Sequence, residues 1–345
     1  MFSKRAIPEG SLVLVTGATG FIGSHVIDQL LQLGYKVRGT ARSQEKGAWV
    51  KDLFDKKYGP GKFEVVEVPD MSSPGAFDEA IKGASGFVHV ATPVMQNLDP
   101  NKGIPLVVNG ALNMLNAAKS EPSLTRGVLT SSSTPRPTRI RMSSCNVIDE
   151  KTWNDQILDK AWAPPPYEGV PRKLAVYSAS KMQSEQAAWK FIEEEKPSFT
   201  LNAVLPNANL GLVLSPEHQG APSTVGWLKA LWNGFASEDE KALSKNPPQY
   251  FINVQDNARV HVAALISPDV NNERLFTFAK PYNWNDILAI YRKNYPEHKF
   301  IDDLPDLGRD LSKVANERAE ELLKRFDVPG WTSLEQSVKD AVFWA

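Results

Sequence analysis

Along the first 205 residues, apolar positions alternate between continuous short runs and runs of helical spacing. Ser11–Thr16 (Leu-Val-Leu-Val) predicts a strand. A glycine-rich turn follows, then a helix with apolar Ile22, Val26, Leu30 and Leu33 that ends at Gly34. Further strands are predicted at Tyr35–Thr40, Phe63–Val68, Gly86–Ala91, Gly127–Thr130 and Thr200–Leu205. Between them lie helical patterns around Phe77–Ile81, at Leu106–Lys119 and at Tyr177–Glu195, the last stopped by Pro197. Strand, helix, strand in this rhythm gives βαβ units and a doubly wound α/β parallel sheet. After Pro206 the rhythm breaks, Trp, Pro and Asn increase, and irregular loops separate the helices. This predicts a dinucleotide-binding domain over 1–205 and a smaller, mixed substrate-binding lobe over 206–345, with ligand space between them. The stretch 250–275 is expected to return to the main body, with Asp256 as N-cap of a helix over Ala258–Leu265.

Composition narrows the function classes. With 345 residues, 42% of them hydrophobic, the chain can bury a large core. Lys+Arg (39) against Asp+Glu (40) leaves a net charge of −1, so no overall field draws it to nucleic acid or an anionic membrane. A single cysteine, Cys145, excludes an intrachain disulfide and a multi-cysteine zinc site, and the five histidines show no metal-ligand spacing. The N-terminus lacks an apolar signal-length run, and no stretch of about 18 apolar residues occurs. A metal-free, cytoplasmic protein is expected.

The chemistry concentrates at strand ends. Thr16-Gly17-Ala18-Thr19-Gly20-Phe21-Ile22-Gly23 places three glycines between the first strand and its helix. Their backbone allows close approach, and the helix N-terminus offers free N–H groups to a pyrophosphate. Dinucleotide binding follows. An acidic residue closing the second strand would bind a ribose 2′-hydroxyl and repel a 2′-phosphate. Here Arg42 stands there instead, with Lys46 nearby, which favours NADPH. Asp70, after the third strand, can serve an adenine amino group or a turn, and Ala91-Thr92-Pro93 ends the fourth strand on the cofactor side. His89 is expected to be a packed core residue.

Tyr-x-x-x-Lys occurs three times, at Tyr58–Lys62, Tyr177–Lys181 and Tyr295–Lys299. The first runs through Gly59-Pro60-Gly61 and the third carries Pro296, so only Tyr177 and Lys181 share a helix face. An ammonium beside the phenol would bring its pKa toward the working range for proton transfer. Any of Ser131, Ser132 or Ser133, at the fifth strand's end, can donate to a carbonyl oxygen held by the tyrosine. On Val225–Phe235, Trp227/Leu231 and Leu228/Trp232 pair at i,i+4. That is either lobe core or an aromatic wall, with Trp227 on the substrate side and Asn207 opposite.

Together these segments resemble the extended short-chain dehydrogenase/reductases. The likeness rests on Thr16–Gly23, Asp70-Met71, Ala91-Thr92-Pro93, Thr130–Ser132, Tyr177-Ser178-Ala179-Ser180-Lys181 and Leu205-Pro206. Within them the chain is similar to the dihydroflavonol-reductase-like branch, and especially to fungal NADPH-dependent aldehyde and ketone reductases. The resemblance implies a Rossmann-type fold and a Ser132/Tyr177/Lys181 active site. It implies a cofactor site from Thr16, Gly17, Gly20, Phe21, Ile22, Gly23, Arg42, Lys46, Asp70, Met71, Ala91, Thr92, Tyr177, Lys181 and Pro206. The expected reaction is hydride transfer from NADPH to a small ketone or aldehyde, giving an alcohol. The asparagine of many relatives' tetrads would fall near Val107, so Asn109 receives no role, and the basic, Pro-rich Thr134–Arg141 departs from the pattern. Two rival readings remain. One is a nucleotide-sugar epimerase or dehydrogenase, for which the absence of arginine between Arg172 and Arg259 gives thin support. The other is a non-catalytic NADPH sensor, which has no need of the Ser/Tyr/Lys set.

Overall fold

The structure is a computed structural model and describes residues 4–93, 98–132 and 147–345. In chain order the first half contains β1 (Leu12–Thr16), α1 (Phe21–Gln32), β2 (Lys36–Ala41), α2 (Gln44–Tyr58), β3 (Phe63–Glu67), β4 (Gly86–His89), α3 (Pro100–Ser120) and β5 (Arg126–Thr130). Then come β6 (Val147–Ile148), α4 (Gln156–Ala161), α5 (Gly169–Glu195), β7 (Thr200–Pro206), β8 (Ala208–Leu210), α6 (Pro216–Gln219), α7 (Val225–Trp232) and α8 (Glu238–Leu243). The chain closes with β9 (Gln249–Asn253), α9 (Val254–Ile266), β10 (Arg274–Thr277), β11 (Lys280–Tyr282), α10 (Trp284–Asn294), β12 (Lys313–Val314), α11 (Glu317–Lys324) and α12 (Leu334–Ala341).

Seven strands form one sheet in the order β10-β7-β5-β4-β1-β2-β3, every pairing parallel. Its central strands are apolar on both faces because helices cover both, which is why β1 and β4 read as continuous apolar runs. The chain order reverses at β1, flanked by β2 and β4, with Thr16 in register with His89. A doubly wound sheet opens its ligand crevice at such a reversal, beyond the carboxyl ends of the strands. A core of α1, α9, α11 and the sheet fills one side. Another, from α3, α5 and the sheet's opposite face, fills the other.

The smaller lobe has a three-stranded sheet, β11-β9-β8, and an aromatic core of α7, α10 and α12 that includes Trp232, Trp284 and Tyr291. Phe21 belongs to this same core, so the lobe packs directly on the glycine turn. Within 250–275, β9 joins the lobe sheet, whereas α9 packs on α1 and β10 extends the main sheet beside β7. Among the described residues no helix is long and apolar enough to cross a membrane.

Three local expectations need correction. Phe77–Ile81 is not a helix but a succession of turns containing one helical hydrogen bond, Ile81 N–H to Phe77 O at 2.9 Å. Gly75 and Gly83, both at positive φ, bracket a stretch too short to nucleate one. Asp256 does not cap α9. Asn253 does, its side chain accepting from Gln255 N–H, while Asp256 lies in the first turn and pairs with Arg259 at 2.9 Å. Finally, α3 and α5 begin earlier than Leu106 and Tyr177, because Pro100 and Pro171 sit in first turns, where a missing N–H costs no helical bond.

Candidate active site

The glycine turn is shaped by its neighbours. Gly17 has φ +71°, and a Cβ there would stand 3.2 Å from the Ala91 Cα. A Cβ on Gly23 would meet the Gly17 carbonyl oxygen at 2.2 Å, so only glycine lets α1 start this close to β1. Gly20 is the extended N-cap of α1; no side chain caps it, and no acidic residue occupies the first turn. Those amides and the positive end of the helix dipole are therefore available to an anion. Phe21 is buried against the lobe, and Ile22 packs between both cores. The Thr16 hydroxyl accepts from the Val90 N–H (3.0 Å) and the Ala91 N–H (2.9 Å), which leaves its own proton for His89 Nδ1 at 3.1 Å. His89 is buried against Phe77, and desolvation, with the nearby Lys181 charge, lowers its pKa to about 3. It stays neutral.

At the second strand, Arg42 is exposed and has no carboxylate partner among the described residues, while Ser43 caps α2 by accepting from Lys46 N–H. The Lys46 side chain points to solvent. Asp70 serves a turn: Oδ1 accepts from Ser72 N–H and Oγ–H, and Oδ2 from Ser73 Oγ–H, and these bonds hold its carboxyl below the usual range. Met71 packs against Gly110 of α3.

The helix α5 carries Tyr177 and Lys181 to the ends of β4 and β5. Ser132 lies beside the Tyr177 hydroxyl, close enough to act on its pKa. Ser131 cannot take that part, because its hydroxyl donates to Glu185 Oε2 at 2.6 Å on the buried side of the strand. Ser133 and the basic segment 134–141 lie outside the described residues. Lys181 is buried and donates to Thr92 Oγ1 at 3.1 Å and to the Thr130 carbonyl. Among the described residues, one of its three N–H donors has no partner.

The expected lowering of the phenol pKa by Lys181 is not what the structure shows. Desolvation raises Tyr177 above 10, neighbouring Ser132 opposes that rise, and the ammonium is engaged by Thr92 and Thr130 instead. Solvent still reaches 36% of Tyr177, which limits the rise. Desolvation brings Lys181 down to about 8, with Glu185 acting against it. The phenol therefore stays protonated through neutral pH, and the lysine is the nearer group to titration.

Pro206 closes β7. Asn207 is half-buried, its Oδ1 accepting from Ala208 N–H. The neighbouring Asn209 takes part in a buried polar chain that runs through Asn257 to Thr277. Asn257 O also accepts from His261 Nδ1, whose Nε2 accepts from the Thr130 hydroxyl. Trp227 is half-buried and edge-on to Trp284 at 6.4 Å, on the rim of the lobe core. Sequence reasoning missed Glu185 and Arg274, a buried pair behind the serines. The available signal was the i,i+4 step from Lys181 to Glu185 on one helix face.

With this geometry in place, residues 13–277 match the NAD dependent epimerase/dehydratase family, and the chain belongs to it. Over 348 aligned residues it is 46% identical to aldehyde reductase 2 of Sporidiobolus salmonicolor, covering 98% of this chain and 97% of that one. It is 38% identical to ketoreductase adrE of Penicillium rubens, over 98% of each chain. The structure of Gre2 from Candida albicans in complex with NADPH superposes with a TM-score of 0.80 at 27% identity, covering 96% of this chain and 97% of that one.

Proposed function

We propose that this protein is an NADPH-dependent carbonyl reductase that converts small aldehydes or ketones to alcohols, with Tyr177 as general acid. The observation that carries the reading is that α5 brings Tyr177 beside Ser132 and, one turn on, Lys181 onto Thr92 and the Thr130 carbonyl at the ends of β4 and β5. Relatives named aldehyde reductase and ketoreductase, and a likeness to an NADPH-bound reductase, support it. The residues fit the cofactor: the uncapped N-terminus of α1 would hold its pyrophosphate, and Arg42, exposed and without a carboxylate partner among the described residues, would take a 2′-phosphate. When bound, NADPH supplies the hydride. Ser132 orients and polarises the carbonyl oxygen, and Tyr177 gives that oxygen its proton. The remaining N–H of Lys181 would hold the cofactor ribose. NADPH consumption with a panel of ketones, aldehydes and nucleotide sugars tests the reading; turnover of nucleotide sugars alone, or binding without turnover, would overturn it.

Two variants probe the specificity. Arg42→Ala should lower the NADPH/NADH preference roughly ten- to a hundredfold, the scale of a charge-assisted hydrogen bond. An unchanged ratio of the two Kd values removes Arg42 from the account. Trp227→Ala should re-order kcat/KM among aryl and alkyl ketones more than it changes NADPH affinity. A uniform loss accompanied by a lower Tm would assign Trp227 to the lobe core.

A further inference from the structure

The helix α5 grips the end of β5 with side chains from three successive turns. Tyr177 lies beside Ser132, Lys181 bonds the Thr130 carbonyl, and Glu185 accepts from Ser131. The three gripped residues are consecutive. Glu185 is 1% exposed, and its carboxylate is fully engaged. Arg274 Nε donates to Oε1 at 2.6 Å, and Trp189 Nε1 donates to the same oxygen at 3.1 Å. Arg274 also donates to the carbonyls of Glu150 (2.7 Å) and Thr152 (3.1 Å) and lies 3.9 Å from the Trp153 ring centroid. An apolar pair would join β10 to α5 at least as stably, since a buried ion pair recovers little more than its desolvation cost. Stability alone does not explain a carboxylate here.

We propose that Glu185 is a positioning residue for carbonyl reduction: through Ser131 it fixes the strand end that presents Ser132 to Tyr177, and it holds a negative charge one turn from the Lys181 ammonium. This rests on the reductase reading above. Ser131 and Ser132 share a peptide unit, so releasing the first lets the second drift, and a misplacement near 1 Å is enough to slow a reaction that depends on orientation. Among the described residues, the groups around Lys181 are few. His89 from β4 and His261 from α9 are lowered by desolvation to about 3 and about 4 and stay neutral, and the Tyr177 phenol is raised above 10. Glu185 is the carboxylate that favours the ammonium, with Arg274 of β10 behind it.

Ser131→Ala removes the hydrogen bond and keeps the charge. It should lower kcat about tenfold with the NADPH Kd and the upper pH limb unchanged. Glu185→Gln keeps an acceptor and removes the charge. It should lower kcat and move the upper limb of the pH profile to lower pH, and Lys181 Nζ, followed by ¹⁵N NMR without cofactor, should titrate at lower pH too. A Glu185→Gln/Arg274→Met double variant should recover Tm without recovering kcat or the titration. Recovery of kcat together with Tm, or a limb and titration that do not move, would make the pair a structural brace and overturn the proposal. If Glu185→Gln does not fold, Ser131→Ala decides, and an unchanged kcat overturns the proposal. A wild-type protein that reduces no carbonyl would defeat the reductase reading instead, while the NMR titration would still report the charge of Glu185 on Lys181.

Discussion

Tyr177→Phe should lose roughly 10²–10⁴ in turnover while still binding NADPH. The substitution deletes one oxygen and keeps the ring, and because 36% of the residue is already open to solvent, little packing is disturbed. The glycine turn, Arg42 and Lys181 are untouched, so the cofactor Kd should hold. Only the proton donor and the partner of Ser132 are gone. Tyr58→Phe and Tyr295→Phe are the controls. The Tyr58 hydroxyl donates to the buried Asp28 of α1, and Tyr295 packs on Trp232 in the lobe. Both variants should keep near-normal turnover, with any deficit appearing in Tm. Ketone reduction by Tyr177→Phe at the wild-type rate would refute the assignment of the proton donor.

Much of the cofactor side was legible because it is local. An apolar strand, three glycines at fixed spacing and an amphipathic helix specify the β1–α1 unit with almost no help from distant residues. The choice among three Tyr-x-x-x-Lys copies was also local, since Gly59, Gly61 and Pro296 remove two of them from helix interiors. Setting Ser131 aside was not. It depends on Glu185, fifty-four residues from Ser131 in the chain, taking the Ser131 hydroxyl. Nothing local in the sequence marks Glu185 or Arg274 as buried; their burial is a product of the β10–β7 pairing and of Trp153 closing over the guanidinium. Asp70 illustrates the opposite case. Both oxygens are engaged by Ser72 and Ser73 in a turn that the local sequence Asp-Met-Ser-Ser-Pro already suggested. The phenol pKa was misjudged because spacing on a helix face places Lys181 near Tyr177 but does not say where the ammonium points.

The direction of the Lys181 ammonium fixes the second large effect. Lys181→Ala should weaken NADPH and cut turnover together, since the free N–H is assigned to the ribose and the other two hold Thr92 and the Thr130 carbonyl in place. In the wild type, desolvation lowers the lysine to about 8. Reduction should therefore run level through neutral pH and decline above about pH 8 as the ammonium loses its proton, even though the phenol, raised above 10, still carries its own. NADPH affinity should decline over the same range, and Lys181→Ala should show neither decline. The stability consequence has the opposite sign. Between about 8 and 10.5 the folded lysine holds fewer protons than the unfolded one, so its contribution to stability rises with pH across that window. Below about pH 8 the lysine is charged in both states and burial of that charge is opposed, on the order of 3 kcal/mol at about 1.4 kcal/mol per pKa unit. Melting temperatures of the wild type and Lys181→Met should accordingly diverge in favour of the wild type as pH rises from 8 to 10.5. Parallel curves would mean that Lys181 keeps an ordinary pKa in the fold, and a decline in rate that persists in Lys181→Ala would move the titrating group elsewhere.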